Sequence, residues 1–98
     1  MITFEQARQI ALDRIGPTWA PDDCGEYTVA EYGYEDDVAW MLIDGGRRYI
    51  VDGDPDCVLV GKPCTIVDKR TGELSFPAYL DDMERFDAMT PVGEHPPR

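Results

Sequence analysis

Val38-Ala39-Trp40-Met41-Leu42-Ile43 is the most apolar run in the chain, and Asp44-Gly45-Gly46 follows it directly. A short run with no charge suits a strand covered on both faces, so these residues are placed at the centre of a sheet. Asp-Gly-Gly carries turn chemistry, because glycine adopts positive φ without steric cost. Arg48-Tyr49-Ile50-Val51 is therefore predicted to pair back across it. Upstream, Tyr27 to Tyr34 alternates and is rich in Thr, Val and Tyr, with Glu35-Asp36-Asp37 as the turn into the central strand. Downstream, Asp52-Gly53-Asp54-Pro55-Asp56 breaks the chain. Cys57-Val58-Leu59-Val60 and Thr65-Ile66-Val67-Asp68 read as further extended segments, bent apart at Gly61-Lys62-Pro63. Lys69-Arg70-Thr71-Gly72 turns into Glu73-Leu74-Ser75-Phe76.

Helices flank these strands. Thr3 and Gln6 form a capping box, in which hydroxyl and amide each satisfy a backbone N–H at a helix start. Phe4, Ala7, Ile10, Ala11 and Ile15 then recur on one face, and Gly16-Pro17 stops the helix. Residues 17–25 read as a loop from which Trp19 folds back onto the core. Pro77 suits a helical first turn, and Tyr79, Leu80, Met83 and Phe86 continue one face of a short C-terminal helix. Strands and helices do not alternate as βαβ units. The fold class is α+β, with an N-terminal helix packed on a four- to five-stranded antiparallel sheet. Residues 1–90 form one domain, and residues 91–98 are expected as a flexible tail.

Composition narrows the function. The chain has 98 residues, with nine Lys+Arg against twenty Asp+Glu and a formal charge of −11. That surface repels nucleic-acid phosphate and anionic lipid and attracts basic proteins. No apolar run approaches the roughly twenty residues of a membrane span. The first residues show neither a basic region nor an apolar core of an export signal. Cys24, Cys57 and Cys64 are odd in number and fit no disulfide framework. A reduced, cytoplasmic location is the expectation.

Catalytic patterns fail one by one. The sole histidine, His95, sits among prolines near the C-terminus, where no base is expected to be held beside a nucleophile. Cys57 and Cys64 lack zinc-ligand spacing. Asp52, Asp54 and Asp56 open like a calcium loop, but Cys57 and Pro63 stand where the EF-hand pattern asks for Gly and Glu. Gly45-Gly46 lacks the helix and lysine of a phosphate loop. The expectation is a non-enzyme that needs no cofactor and no metal.

A binding role draws on a different composition. Carboxylates cluster in the turns between strands, and tyrosines lie on the strands beside them. Tyrosine next to carboxylate suits the docking of Arg or Lys, through charge-assisted hydrogen bonds and cation–π contacts. The candidate partner-binding residues are Tyr34, Glu35, Asp36, Asp37, Asp52, Asp54 and Asp56.

Three stretches carry a family resemblance: Met1-Ile2-Thr3-Phe4-Glu5-Gln6-Ala7, Val38-Ala39-Trp40-Met41, and the run from Leu59 to Glu73 containing Gly61, Pro63 and Val67-Asp68-Lys69-Arg70-Thr71-Gly72. Together they resemble the YrhB/immunity protein 35 family of small bacterial proteins. The Gly61-to-Pro63 gap is shorter here than in that pattern. The resemblance implies an immunity-type inhibitor that occludes a cognate toxin domain, and a basic toxin would complement the acidic surface. A second class is a small-ligand or scaffold module with a pocket between helix and sheet near Trp40 and Tyr49.

Overall fold

The computed structural model describes residues 1–20, 23–57 and 62–95. Helix α1 spans Phe4–Ile15, and its cap forms as the sequence predicts. The Gln6 amide donates to Thr3 Oγ1 at 3.1 Å, and the Thr3 amide donates to Gln6 Oε1 at 2.8 Å. Ala7 and Ala11 are fully buried, so the helix approaches the sheet closely along its small-residue stripe. A 3-10 turn at Gly16–Thr18 ends it. Trp19 does fold back: its ring lies 5.5 Å from that of Tyr27, and its Nε1 donates to the Gly25 carbonyl.

The sheet holds β1 (Tyr27–Glu35), β2 (Ala39–Gly46), β3 (Thr65–Asp68), β4 (Leu74–Ser75) and β5 (Thr90–Val92). Every pairing is antiparallel and the order is β4-β3-β2-β1-β5, so the apolar run at 39–43 is central as expected. One face packs against α1 through Tyr27, Val29, Leu42 and Val67. The other packs Ala39 and Ile66 against Phe86 and Met89, at helix α3 (Met83–Asp87) and just after it. Among the described residues, no helix is long and apolar enough to cross a membrane.

Four local expectations are corrected. Gly45 and Gly46 continue β2 instead of turning, paired with Thr28 and Tyr27. The chain then forms a single helical turn, α2 (Arg47–Ile50), so residues 48–51 are not a strand. Close packing explains this use of glycine, since a Cβ on Gly46 would stand 2.9 Å from the Cys24 carbonyl oxygen. Second, Cys24 and Cys57 are joined in a disulfide, leaving Cys64 as the free thiol. Third, residues 91–98 do not begin as a tail, because Thr90–Val92 pairs with Gly33–Glu35 and closes one sheet edge. Fourth, the helical face expected from Pro77 onward is interrupted. A 3-10 turn (Tyr79–Asp81) and α3 are separated at Asp82, whose φ of −153° and ψ of 51° are not helical. The strand expected at 57–60 lies largely outside the described residues; Cys57 itself ends a 3-10 turn.

Strand β1 carries one irregularity that shapes the surface. From Val29 to Gly33 it takes four steps (33 − 29), while its partner takes two, from Asp44 to Leu42 (44 − 42). The surplus residues bulge out of the ladder.

Candidate partner-binding groove

The two acidic clusters predicted from the sequence do not meet. Glu35, Asp36 and Asp37 sit at the β1–β2 tip, whereas Asp52, Asp54 and Asp56 follow α2 beyond the other end of β2. That strand has eight residues, which separates the clusters by about 25 Å.

Several of these residues also serve the fold. Asp36 accepts hydrogen bonds from the Val38 and Ala39 amides at 3.0 and 2.9 Å, and from Arg85 Nε at 2.7 Å. Partial burial pushes its carboxyl up, but the Arg85 and amide donors outweigh that and hold it below the usual carboxylate range. Glu35 lies 3.6 Å from Lys69 Nζ, which itself sits over the Trp40 ring. Asp54 binds Arg48 at 2.7 Å and accepts the Asp56 amide. Tyr34 is half-buried against His95, with ring centroids 5.0 Å apart. Asp37, Asp52 and Asp56 remain exposed.

What the fold does bring together is a groove beside the bulge of β1. One lobe of about 550 Å³ runs between Arg8, the bulged strand, Ile50, Val51 and Glu94. A second of about 470 Å³ continues over Tyr32, Ile43, Tyr49, Val51 and Asp52. The two share Tyr32, Ile50 and Val51, so α2 and Tyr32 form a common wall. Val51 is 58 % exposed, and Tyr49 presents part of its ring.

The electrostatics of this groove are one-sided. Its lining cation, Arg8, is already engaged. Nη1 pairs with Glu5 at 2.8 Å, while Nε and Nη2 donate to the Ala30 and Val29 carbonyls at 2.8 and 2.9 Å. Arg8 thereby satisfies the Val29 and Ala30 carbonyls where β1 extends beyond its pairing with β5. Glu31, Glu94 and Asp52 have no ion-pair partner among the described residues. Carboxylates beside tyrosine and aliphatic walls can hold a guanidinium or ammonium group, with the ring faces adding cation–π attraction.

His95 braces the same wall, contrary to its expected isolation. Its ring lies 4.8 Å from Tyr32 and 5.0 Å from Tyr34, and Nε2 donates to the Gly33 carbonyl at 2.9 Å. Glu94, His95, Tyr32 and Val51 were not among the predicted site residues. The signal that could have found them is non-local: β5 must return to β1 before Glu94 and His95 reach Tyr32.

A buried polar cluster lies at the α2 end of the sheet, on the α1 face. Asp44 accepts from the Tyr27 hydroxyl at 2.5 Å, from Thr65 Oγ1 at 2.8 Å and from Lys62 Nζ at 2.7 Å. Burial pushes the Tyr27 hydroxyl far above the usual tyrosine range, and donation to the Asp44 carboxylate adds to that. The cluster closes on itself and ties β1, β2 and β3 together. Trp40 packs on Phe4 at 5.6 Å under α1, while Tyr49 faces the groove. Comparison of the chain with protein-family models, curated proteins and solved structures returned no match.

Proposed function

We propose that this protein is a binding module that captures a basic partner protein, and that the groove beside the β1 bulge receives its Arg or Lys side chains. The observation that carries this is the imbalance of charge commitment. Six of the eight described cations, Arg8, Arg47, Arg48, Lys62, Lys69 and Arg85, are paired within the fold, and the other two, Arg14 and Arg70, lie outside the groove. Glu31, Asp52 and Glu94, by contrast, have no ion-pair partner among the described residues and stand around tyrosine and aliphatic walls. Uncompensated charge of this kind accelerates encounter with a cationic surface and selects against acidic ones. The resemblance to immunity proteins makes the partner a toxin domain, neutralised by occlusion.

In this role the protein is a binder rather than a catalyst, and His95 acts as a brace, with Nε2 engaged at the Gly33 carbonyl. A cytoplasmic location would keep Cys24 and Cys57 as thiols, since the bond between them belongs to oxidising compartments. Counting free thiols in freshly isolated, alkylated protein distinguishes the two settings. One thiol per chain contradicts the cytoplasmic placement, and three support it.

The binding test uses a fluorescein-labelled arginine-rich hexapeptide, followed by anisotropy. Charge reversal at the groove, Glu31→Lys with Glu94→Lys, should weaken binding roughly tenfold, given about 0.2–1 kcal/mol for each exposed pair formed and a similar repulsive change. Asp37→Lys at the distant tip should change it less than twofold. Equal effects at both places contradict the placement of the site.

A further inference from the structure

From the end of β4 to the first residue of α3, four large apolar side chains face solvent within eight residues: Phe76, Tyr79, Leu80 and Met83. Leu80 is 77 % exposed and Phe76 is 52 % exposed. The backbone beneath them is well anchored. The Cys64 amide donates to the Pro77 carbonyl at 2.8 Å, and the Ala78 amide donates to the Asp81 carboxylate at 3.3 Å. Tyr79 donates its hydroxyl to Asp87 and stacks on buried Phe86. The break at Asp82 divides the apolar face: Phe86 turns into the core while Leu80 and Met83 turn out. Several exposed apolar side chains on one held segment mark a contact surface.

The charge around this patch selects its occupant. Asp81, Asp82 and Glu84 are exposed along its rim, and neither Asp82 nor Glu84 has an ion-pair partner among the described residues. Arg85, the neighbouring cation, is held by Asp36 at 2.7 Å. A second copy of this chain would set these carboxylates against their own kind, in a molecule of formal charge −11. We infer that this surface docks an amphipathic basic segment of a partner protein. Apolar side chains of that segment seat on Phe76, Leu80 and Met83, and its Lys or Arg residues meet Asp82 and Glu84. The patch shares no lining residue with the groove beside β1, so it stands independently of that site.

The test uses a labelled helical peptide built from leucine on one face and lysine on the other, with a leucine–glutamate analogue as control. Burial of one leucine corresponds to about ten- to hundredfold in affinity. Leu80→Ser should weaken lysine-peptide binding by that factor. Val38→Ser, at an exposed apolar position outside both the patch and the groove, should leave it unchanged, and the glutamate analogue should not bind. Circular dichroism confirms that each variant is folded, and Met83→Ser supplies a second probe of the same surface. Three results overturn the proposal: no binding of the lysine peptide, equal binding by wild type and both patch variants, or equal binding of the glutamate analogue. Sedimentation revealing a dimer that Leu80→Ser dissolves also overturns it, because a second copy then covers the patch.

Discussion

Substituting Asp44 by alanine probes the tie that fixes the end of the sheet from which α2 departs. The Asp44 side chain is 2 % exposed and accepts from Tyr27, Thr65 and Lys62. Without it, the buried Tyr27 hydroxyl has no acceptor, at a cost of about 1–3 kcal/mol. Thr65 still accepts from Lys62 at 3.1 Å but loses its own acceptor, which adds about 1 kcal/mol. The Lys62 side chain is 25 % exposed, so its lost ion pair adds at most about 1 kcal/mol. The expected loss is about 2–5 kcal/mol, a large part of the roughly 5–15 kcal/mol that stabilises a domain. Urea unfolding followed by tryptophan fluorescence measures it. With a slope of about 1 kcal/mol per molar urea, the midpoint should fall by about 2 M or more. Tyr27→Phe leaves the other two donors in place and should cost only about 1 kcal/mol. A loss below about 1 kcal/mol for Asp44→Ala, at unchanged slope, would refute the description of this cluster as a structural tie.

Two further perturbations act elsewhere. Asp36→Asn keeps an acceptor for the turn amides but removes the charge facing Arg85, so about 1 kcal/mol should be lost at neutral pH. The Asp36 carboxyl lies lower in the folded chain than in the unfolded one, so its stabilisation is present above the ordinary carboxylate pKa of about 4 and fades as pH falls below that. Wild type and variant should converge by about pH 2 in acid-unfolding curves, and a difference that persists there contradicts the ion pair as its cause. Reducing the Cys24–Cys57 bond opens a loop with a sequence separation of 33, and chain entropy then predicts about 3–4 kcal/mol of destabilisation. Thermal melts with and without a phosphine reductant check this, and coincident melts contradict it.

Helix α1 and the central strand were legible in the sequence because their signals are local. The Thr3–Gln6 box, the stripe from Phe4 to Ile15 and the apolar run at 38–43 each report on residues a few positions apart. The groove was not legible, because long-range contacts make it. Gly45-Gly46 has the composition of a turn, but contact with the Cys24 loop makes Gly46 a strand residue. The bulge in β1 is held by Arg8 from a helix about twenty residues earlier. Glu94 reaches the groove wall only because β5 crosses back to β1. Asp36 and Asp54 carry the acidity the sequence promised, but the fold uses it for Arg85, Arg48 and backbone amides. Counts of carboxylates do not separate committed charge from free charge.

Nitrogen-15 chemical-shift mapping with acetyl-arginine amide tests the groove most directly. The largest shifts should fall on Glu31, Tyr32, Val51, Asp52 and Glu94, should diminish with added salt, and should vanish in the Glu31→Lys, Glu94→Lys variant. Shifts that centre on Asp37 at the β1–β2 tip, or that spread evenly over all carboxylates, would contradict a cation-binding groove beside the β1 bulge.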